Sequence, residues 1–220
     1  MPGDLHTHTN FSDGSCPAEW LPRLAAAAKM DTLAITDHDS MASVRFGYAH
    51  PQLNGVRLIP GMELSGYDNA RGSKVHILCY WPRECEALQA HCDRMAERRR
   101  NALEQSMQLL QQRCPQFRRE DAMAYAQNSE GALYKAYVMR ALMEYGLADG
   151  VYGSVYKQLF RPVQEGGISF RFSYPDCREL LQLGRQCGGV VVLAHPGVYN
   201  NIELMKELAA EGLLDGIELD

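Results

Sequence analysis

A chain of 220 residues, 46% of them hydrophobic and 22% charged, holds enough apolar material for a core, as one large domain or a domain carrying an insertion. Its net charge of −5 excludes a general grip on nucleic-acid backbone, though not a local basic patch. Cys16, Cys79, Cys85, Cys92, Cys114, Cys177 and Cys187 are scattered, with no Cys-x-x-Cys pair; they argue for reduced thiols and a cytoplasmic home, and neither a signal peptide nor an apolar run of roughly 18 residues suggests a membrane.

Residues 3–8 read as a first strand. Strand alternation turns His6 and His8 to one face, where both can grip one ion. Asp13 follows a short polar turn ending in Gly14 and can add an oxygen; the plain alternative is a strand end with two ordinary histidines. Pro17 suits a first helical turn, and Trp20, Leu21, Leu24, Ala25 and Ala28 share an apolar helical face. Pro22 predicts a kink or a late helix start, since proline beyond the first turn costs ~3 kcal/mol. Residues 32–36 read as a buried strand delivering Asp37-His38-Asp39, and Ser40 caps a helix to about residue 49. Val56 to Pro60 is a third strand, leading into Gly61-Met62-Glu63-Leu64-Ser65, and residues 75–80, with His76, are a fourth. This alternation is the pattern of a parallel α/β fold.

The pattern changes near Pro82. Helices are predicted over residues 86–113, 120–127, 133–145 and 151–160, with Arg98-Arg99-Arg100 taken as a solvated face. Strand character resumes near Ile168. A helix runs from Pro175 to Gln186, a strand over 189–194 presents His195-Pro196-Gly197, a helix covers 202–211, and 216–220 looks like a last strand. The organisation expected is barrel over 1–82, helical insertion over 83–167, and barrel again over 168–220.

His6, His8, His38, His76 and His195 all sit in or at the ends of predicted strands, accompanied by Asp13, Asp37, Asp39 and Glu63. In a parallel barrel strand C-termini converge on one face, so these side chains suggest a metal cluster. Each has a structural alternative: His38 in a surface charge cluster, Glu63 as a helix cap, His76 as a core histidine, His195 shaping a turn. His50 and His91 lack such context. Imidazole with carboxylate suits zinc, manganese or iron, and a bridging carboxylate such as Glu63 suits paired ions that activate water against a phosphate ester. No Gly-x-Ser-x-Gly elbow supports serine chemistry.

The stretches DLHTHTNFSDGS, ITDHD, PGMELS, VHILCY and LAHPG, in that order, resemble the PHP (polymerase and histidinol phosphatase) family over about residues 3–82 and 168–220. The resemblance implies a distorted (β/α)7 barrel with a helical cap and two or three divalent ions (Mn, Zn or Fe). His6 and His8 would hold one ion, Glu63 would bridge it to a second held also by His76, and Asp13, His38 and His195 would complete the second and third sites. A hydroxide on the metal would be the nucleophile, with no catalytic side chain besides. The inserted helices resemble the branch acting on nucleoside 3′,5′-bisphosphates and RNA 5′ ends, so the implied substrate is a small nucleotide or an oligonucleotide end. That branch carries an Arg-Pro-His triplet where this chain begins Lys135-Ala136-Tyr137; Lys135 and Arg140 are the phosphate-binding candidates. The family's final Asp-x-His strand is not reached by Asp220, which implies an incomplete barrel whose open edge invites self-association. The alternatives are a truncated, catalytically impaired metal- or nucleotide-binding module, and a histidinol phosphatase.

Overall fold

The computed structural model describes residues 2–219. A curled sheet of seven strands organises it: β1 (Gly3–Thr7), β2 (Thr32–Ile35), β3 (Gln52–Leu53), β4 (Val56–Asp68), β5 (Ser73–Tyr80), β6 (Val190–Leu193) and β7 (Gly216–Ile217), in the order β1-β2-β4-β5-β6-β7 with β3 paired to β4. Asp220, assigned from sequence to the last strand, lies outside the described residues.

The sheet corrects the parallel expectation. β1, β2 and β4 run parallel, as do β6 and β7, but β5 is antiparallel to both β4 and β6. The reason is the short β4–β5 connection over 69–72, which turns at Gly72 (φ 68°). So short a link can only reverse the chain, because a parallel return needs a crossover of a dozen residues or more. The reversal puts the N-terminal half of β5, with His76, beside the C-terminal ends of its neighbours.

Helices α1 (Leu21–Ala27) and α2 (Met41–Ala49) pack on the β1–β2–β4 half. α1 starts late, with Pro22 in its first turn, where a missing N–H costs nothing. Its predicted face is only partly used: Ala25 is buried, while Trp20 and Leu24 are 67% and 53% exposed. Ser40 caps α2, accepting from the Ala42 N–H.

Between β5 and β6 come α3 (Glu86–Arg113), α4 (Arg119–Met123), α5 (Lys135–Glu144), α6 (Ser154–Leu159) and α7 (Cys177–Gln186), and α8 (Ile202–Ala210) joins β6 to β7. Leu103, Met107, Leu110, Phe117, Tyr137 and Met139 form a core among α3–α6, separate from the core in which Met62, Ile77 and Val191 meet α7 and α8. Ile168 belongs to the helical core and no strand begins there. Its N–H bonds back to Leu159, and Ser169 bonds to Arg161, so the segment completes the helical layer.

The expected set of reduced thiols is also corrected: Cys85 and Cys187 are joined, Cα–Cα 6.3 Å. Cys85 caps the start of α3 and Cys187 ends α7, so sheet neighbours carry together two cysteines separated by 102 positions. No helix among the described residues is long and apolar enough to cross a membrane.

Candidate metal centre

Glu63 lies in the middle of β4, 1% exposed. His76 Nδ1 (2.8 Å), His195 Nε2 (3.1 Å) and His6 Nε2 (3.2 Å) approach its Oε1. His38 Nδ1 (2.8 Å) and His8 Nε2 (3.0 Å) approach Oε2. Asp13 Oδ1 lies 2.8 Å from His8 Nδ1. The structure thus brings together His6, His8, Asp13, His38, Glu63, His76 and His195. β1, β2, β4 and β6 share one direction and deliver their residues at one edge, and the reversed β5 supplies His76 to the same edge.

The first loop is held tightly. Asp37, fully buried, accepts from Thr9 N (2.8 Å), Thr9 Oγ1 (2.7 Å) and Ser12 Oγ (2.5 Å). Gly14 passes so close to the strand that a Cβ there would sit 2.4 Å from the His8 carbonyl oxygen. Asp37 is therefore a support for the loop that presents Asp13. His195 (φ 27°) has a positive φ, uncommon for a residue other than glycine.

Burial penalises the charge on Glu63, yet the histidines around it, His38 foremost, hold its carboxyl well below the usual range. Burial pushes His76 down to about 4 against the pull of Glu63, so its imidazole is neutral and offers a lone pair at neutral pH. His8 Nε2, His38 Nδ1, Glu63 Oε2 and His195 Nδ1 are buried without a hydrogen-bond partner. Buried polar atoms rarely go unpaired. Nitrogens and oxygens in contact, but not aligned for hydrogen bonds, are suited to sharing a cation. Among the described residues, four sets of three have donor atoms within 4.8 Å of one another: His6, His8 and Glu63; His8, Asp13 and His38; His38, Glu63 and His76; and His6, His195 and Glu218. This nitrogen-rich donor set fits zinc, manganese or iron.

Glu218 was missed from sequence. It follows β7, accepts from His195 N at 2.8 Å and lies 3.0 Å from His6 Nδ1; an acid directly after a short apolar strand was the available signal. Arg99 was also misplaced. Consecutive helical residues point about 100° apart, so Arg98, Arg99 and Arg100 cannot share a face. Arg99 continues the inward stripe of His91 and Met95, while Arg98 and Arg100 turn aside to the Ser173 and Gly131 carbonyls.

A cavity of about 850 Å³ opens beside the cluster, lined by His38 and His76 on the sheet side and Lys135, Tyr156 and Phe172 on the helical side. α5 stitches this wall to the centre: Tyr134 Oη donates to the His38 carbonyl at 2.8 Å and Tyr137 Oη to that of Ser12 at 2.5 Å. Lys135 faces the cavity, whereas Arg140, five residues on, grips the Asp13 carbonyl at 2.7 Å.

A mixed α/β sheet with five imidazoles around one buried carboxylate at its edge has the layout of a metal-dependent hydrolase. The chain belongs to the PHP domain family, which matches residues 4–139, and is a phosphoric ester hydrolase of that family. It is 36% identical over 218 residues to the phosphoribosyl 1,2-cyclic phosphate 1,2-diphosphodiesterase of Eggerthella lenta, covering 98% of this chain and 81% of that protein. It is 30% identical to the 5′-3′ exoribonuclease Rnm of Escherichia coli, covering 94% of this chain and 70% of that one. Its fold matches a solved amidohydrolase from Chromobacterium violaceum with bound sulfate at a TM-score of 0.84 and 24% identity, covering 99% of this chain and 76% of that one.

Proposed function

We propose that the protein hydrolyses a phosphate ester of a small nucleotide or of an oligonucleotide end, at the cluster centred on Glu63. The observation that carries this reading is the ring of five imidazoles on Glu63 with donor atoms left unpaired, opening into the cavity. His6, His8, Asp13, His38, Glu63, His76 and His195, joined by Glu218, would hold two or three divalent ions, with Glu63 between two of them. Bound there, manganese, zinc or iron supplies an activated water and neutralises the oxygens of the reacting phosphoryl group.

The chain's own residues do the rest. Glu63 stays ionised and His76 stays neutral, so neither competes for protons at neutral pH. Tyr152 Oη donates to Asp13 Oδ2 at 2.9 Å and fixes that carboxylate from the helical side. Lys135 presents an ammonium to the cavity. Residues 1–82 and 168–220 would form the distorted (β/α)7 barrel, and 83–167 the cap over its mouth; the separate core among α3–α6 supports a distinct helical layer, with Ile168 joining it at the boundary.

A second reading has its own support. The Eggerthella relative's name specifies a cyclic phosphodiester on a phosphorylated ribose, and Lys135 stands where the nucleotide branch carries Arg-Pro-His. Phosphate release from adenosine 3′,5′-bisphosphate, and opening of a ribose cyclic phosphate to its monoester followed by phosphorus NMR, both measured with manganese, separate the two. Neither reaction in fully metal-loaded protein is the outcome that counts against both.

A further inference from the structure

The tyrosines lining the cavity divide into two sets. Tyr67 donates its hydroxyl to the Gly72 carbonyl at 2.7 Å, Tyr134 to that of His38 at 2.8 Å, and Tyr152 to Asp13 Oδ2 at 2.9 Å. Tyr156, Tyr174 and Tyr199 also line the space, but donate to no group among the described residues. Tyr156 packs on the Tyr152 and Phe160 rings, and Tyr174 on Phe172, on the helical side. Tyr199 alone of these three meets the metal centre. Its ring stands edge-on to His76 and His195, with centroids 5.1 and 5.5 Å away.

The chain holds that ring firmly. The Val198 N–H bonds to the His195 carbonyl at 3.0 Å and the Asn201 N–H to that of Pro196 at 2.8 Å, so residues 195–201 wind through tight turns. Asn201, 1% exposed, accepts from Ser73 Oγ at 2.8 Å. Its Nδ2 donates at 2.7 Å to the carbonyl of Lys74, a residue of the cavity wall. The segment is thus pinned at one end by His195, in the cluster, and at the other by β5, two residues from His76. A donor fixed before a reaction costs no reorganisation during it.

The cluster itself presents lone pairs. Its imidazoles and carboxylates suit cations, and cations neutralise the phosphoryl oxygens. The ester oxygen is placed differently. It joins the reacting phosphorus at the cluster to the remainder of the substrate in the cavity, and it gains negative charge as its bond to phosphorus breaks. Tyr199 borders both spaces, and its neutral hydroxyl is a hydrogen-bond donor.

We infer that Tyr199 is a catalytic residue, donating a hydrogen bond from its hydroxyl to the ester oxygen of the leaving group as that oxygen takes up charge. This rests on the phosphate-ester reading above and names the side chain that serves its leaving group.

Steady-state kinetics on the manganese-loaded full chain compare two esters that differ in their leaving group. Adenosine 3′,5′-bisphosphate releases a weakly acidic sugar hydroxyl, and 4-nitrophenyl phosphate releases an acidic phenol. A hydrogen bond to the leaving oxygen matters most where that oxygen carries most charge. Tyr199→Phe should lower kcat on the nucleotide by about a hundredfold, the loss expected of one preorganised donor, and on the nitrophenyl ester by less than about threefold. KM should change little, and metal per chain, by elemental analysis, should stay at the wild-type level. Tyr174→Phe, which removes another unengaged hydroxyl of the cavity, should keep the wild-type ratio between the two esters. An equal loss on both esters in Tyr199→Phe would overturn the inference and leave the phosphoesterase reading intact, and so would wild-type kcat on the nucleotide. A fall in metal content would also overturn it, by making Tyr199 a support for the ligands. No turnover of either ester by wild-type protein would remove the phosphate-monoester reading and this inference with it.

Discussion

Arg99 donates to Asp39 Oδ2 across 2.6 Å, joining the middle of α3 to the residue that follows His38. Asp39 also accepts from His91 Nε2 at 3.0 Å and from Ser65 N at 2.9 Å, and Arg99 reaches Ser65 Oγ at 2.7 Å. His91 and Arg99 stand eight positions apart on one face of α3, so a single stripe of the helix clamps the carboxylate. Replacing Arg99 by Met would leave the buried Asp39 Oδ2 without its donor, with His91 and Ser65 still on Oδ1. Breaking a buried pair in this way costs about 3–5 kcal/mol. Denaturant unfolding of Arg99→Met should show that loss, and the double change with Asp39→Asn should recover part of it. Wild-type stability in the single variant would mean the pair is not formed in solution.

Glu63 is the hub of the cluster, so its neutral isostere separates binding from folding. Glu63→Gln keeps the shape but removes the charge that draws the imidazoles together. Metal per chain, measured by elemental analysis after dialysis, should fall markedly, and phosphate release should drop by at least about a hundredfold. The fold should survive by circular dichroism, because the core around Met62 and Leu64 is untouched. Full metal occupancy in this variant would remove Glu63 from the ligand set.

Much of this was legible in advance because the site lies on strands and strand chemistry is local. His6 and His8 share a face by alternation alone, Ser40 caps by residue type, and the extent of α3 follows from its composition. What escaped depended on long-range pairing. The direction of β5 is set by a turn whose significance appears only once β6 is seen on its far side. Arg99 was hidden among three arginines, because composition does not say which of three successive directions meets the sheet. The Cys85–Cys187 pair joins helix ends more than a hundred positions apart, which no local spacing signals.

That pair makes a direct prediction. In the chain-entropy account, a bridge closing a loop of ~100 residues stabilises by about 4–5 kcal/mol. Thermal unfolding in dithiothreitol should occur several degrees lower than in its absence. Cys85→Ala should match the reduced wild type and be insensitive to the reductant. Non-reducing peptide mapping should show the 85–187 cross-link directly; its absence in air-oxidised protein would remove the bridge.

Lys135 gives the pH dependence a sign. Burial, with Lys74 nearby, puts its folded value at about 8, below the ~10.4 of an unfolded lysine. Between those values the unfolded chain binds more protons than the folded one, so this residue makes stability rise with pH across that window. Anion binding must run the opposite way, because only the ammonium attracts phosphate. Of the other charged groups lining the cavity, Arg99 is held charged over this range by Asp39 against its own burial, and Asp13 is ionised throughout, held well below the carboxylate range by His8 against its own burial. Affinity for adenosine 5′-monophosphate, measured by calorimetry from pH 7 to 9.5, should therefore weaken above about pH 8, by at most tenfold per unit for each lysine discharged. Lys135→Gln should bind more weakly at pH 7 and lose most of that slope, keeping only what Lys74 contributes. A flat wild-type profile across the range would show that Lys135 takes no part in holding the anion.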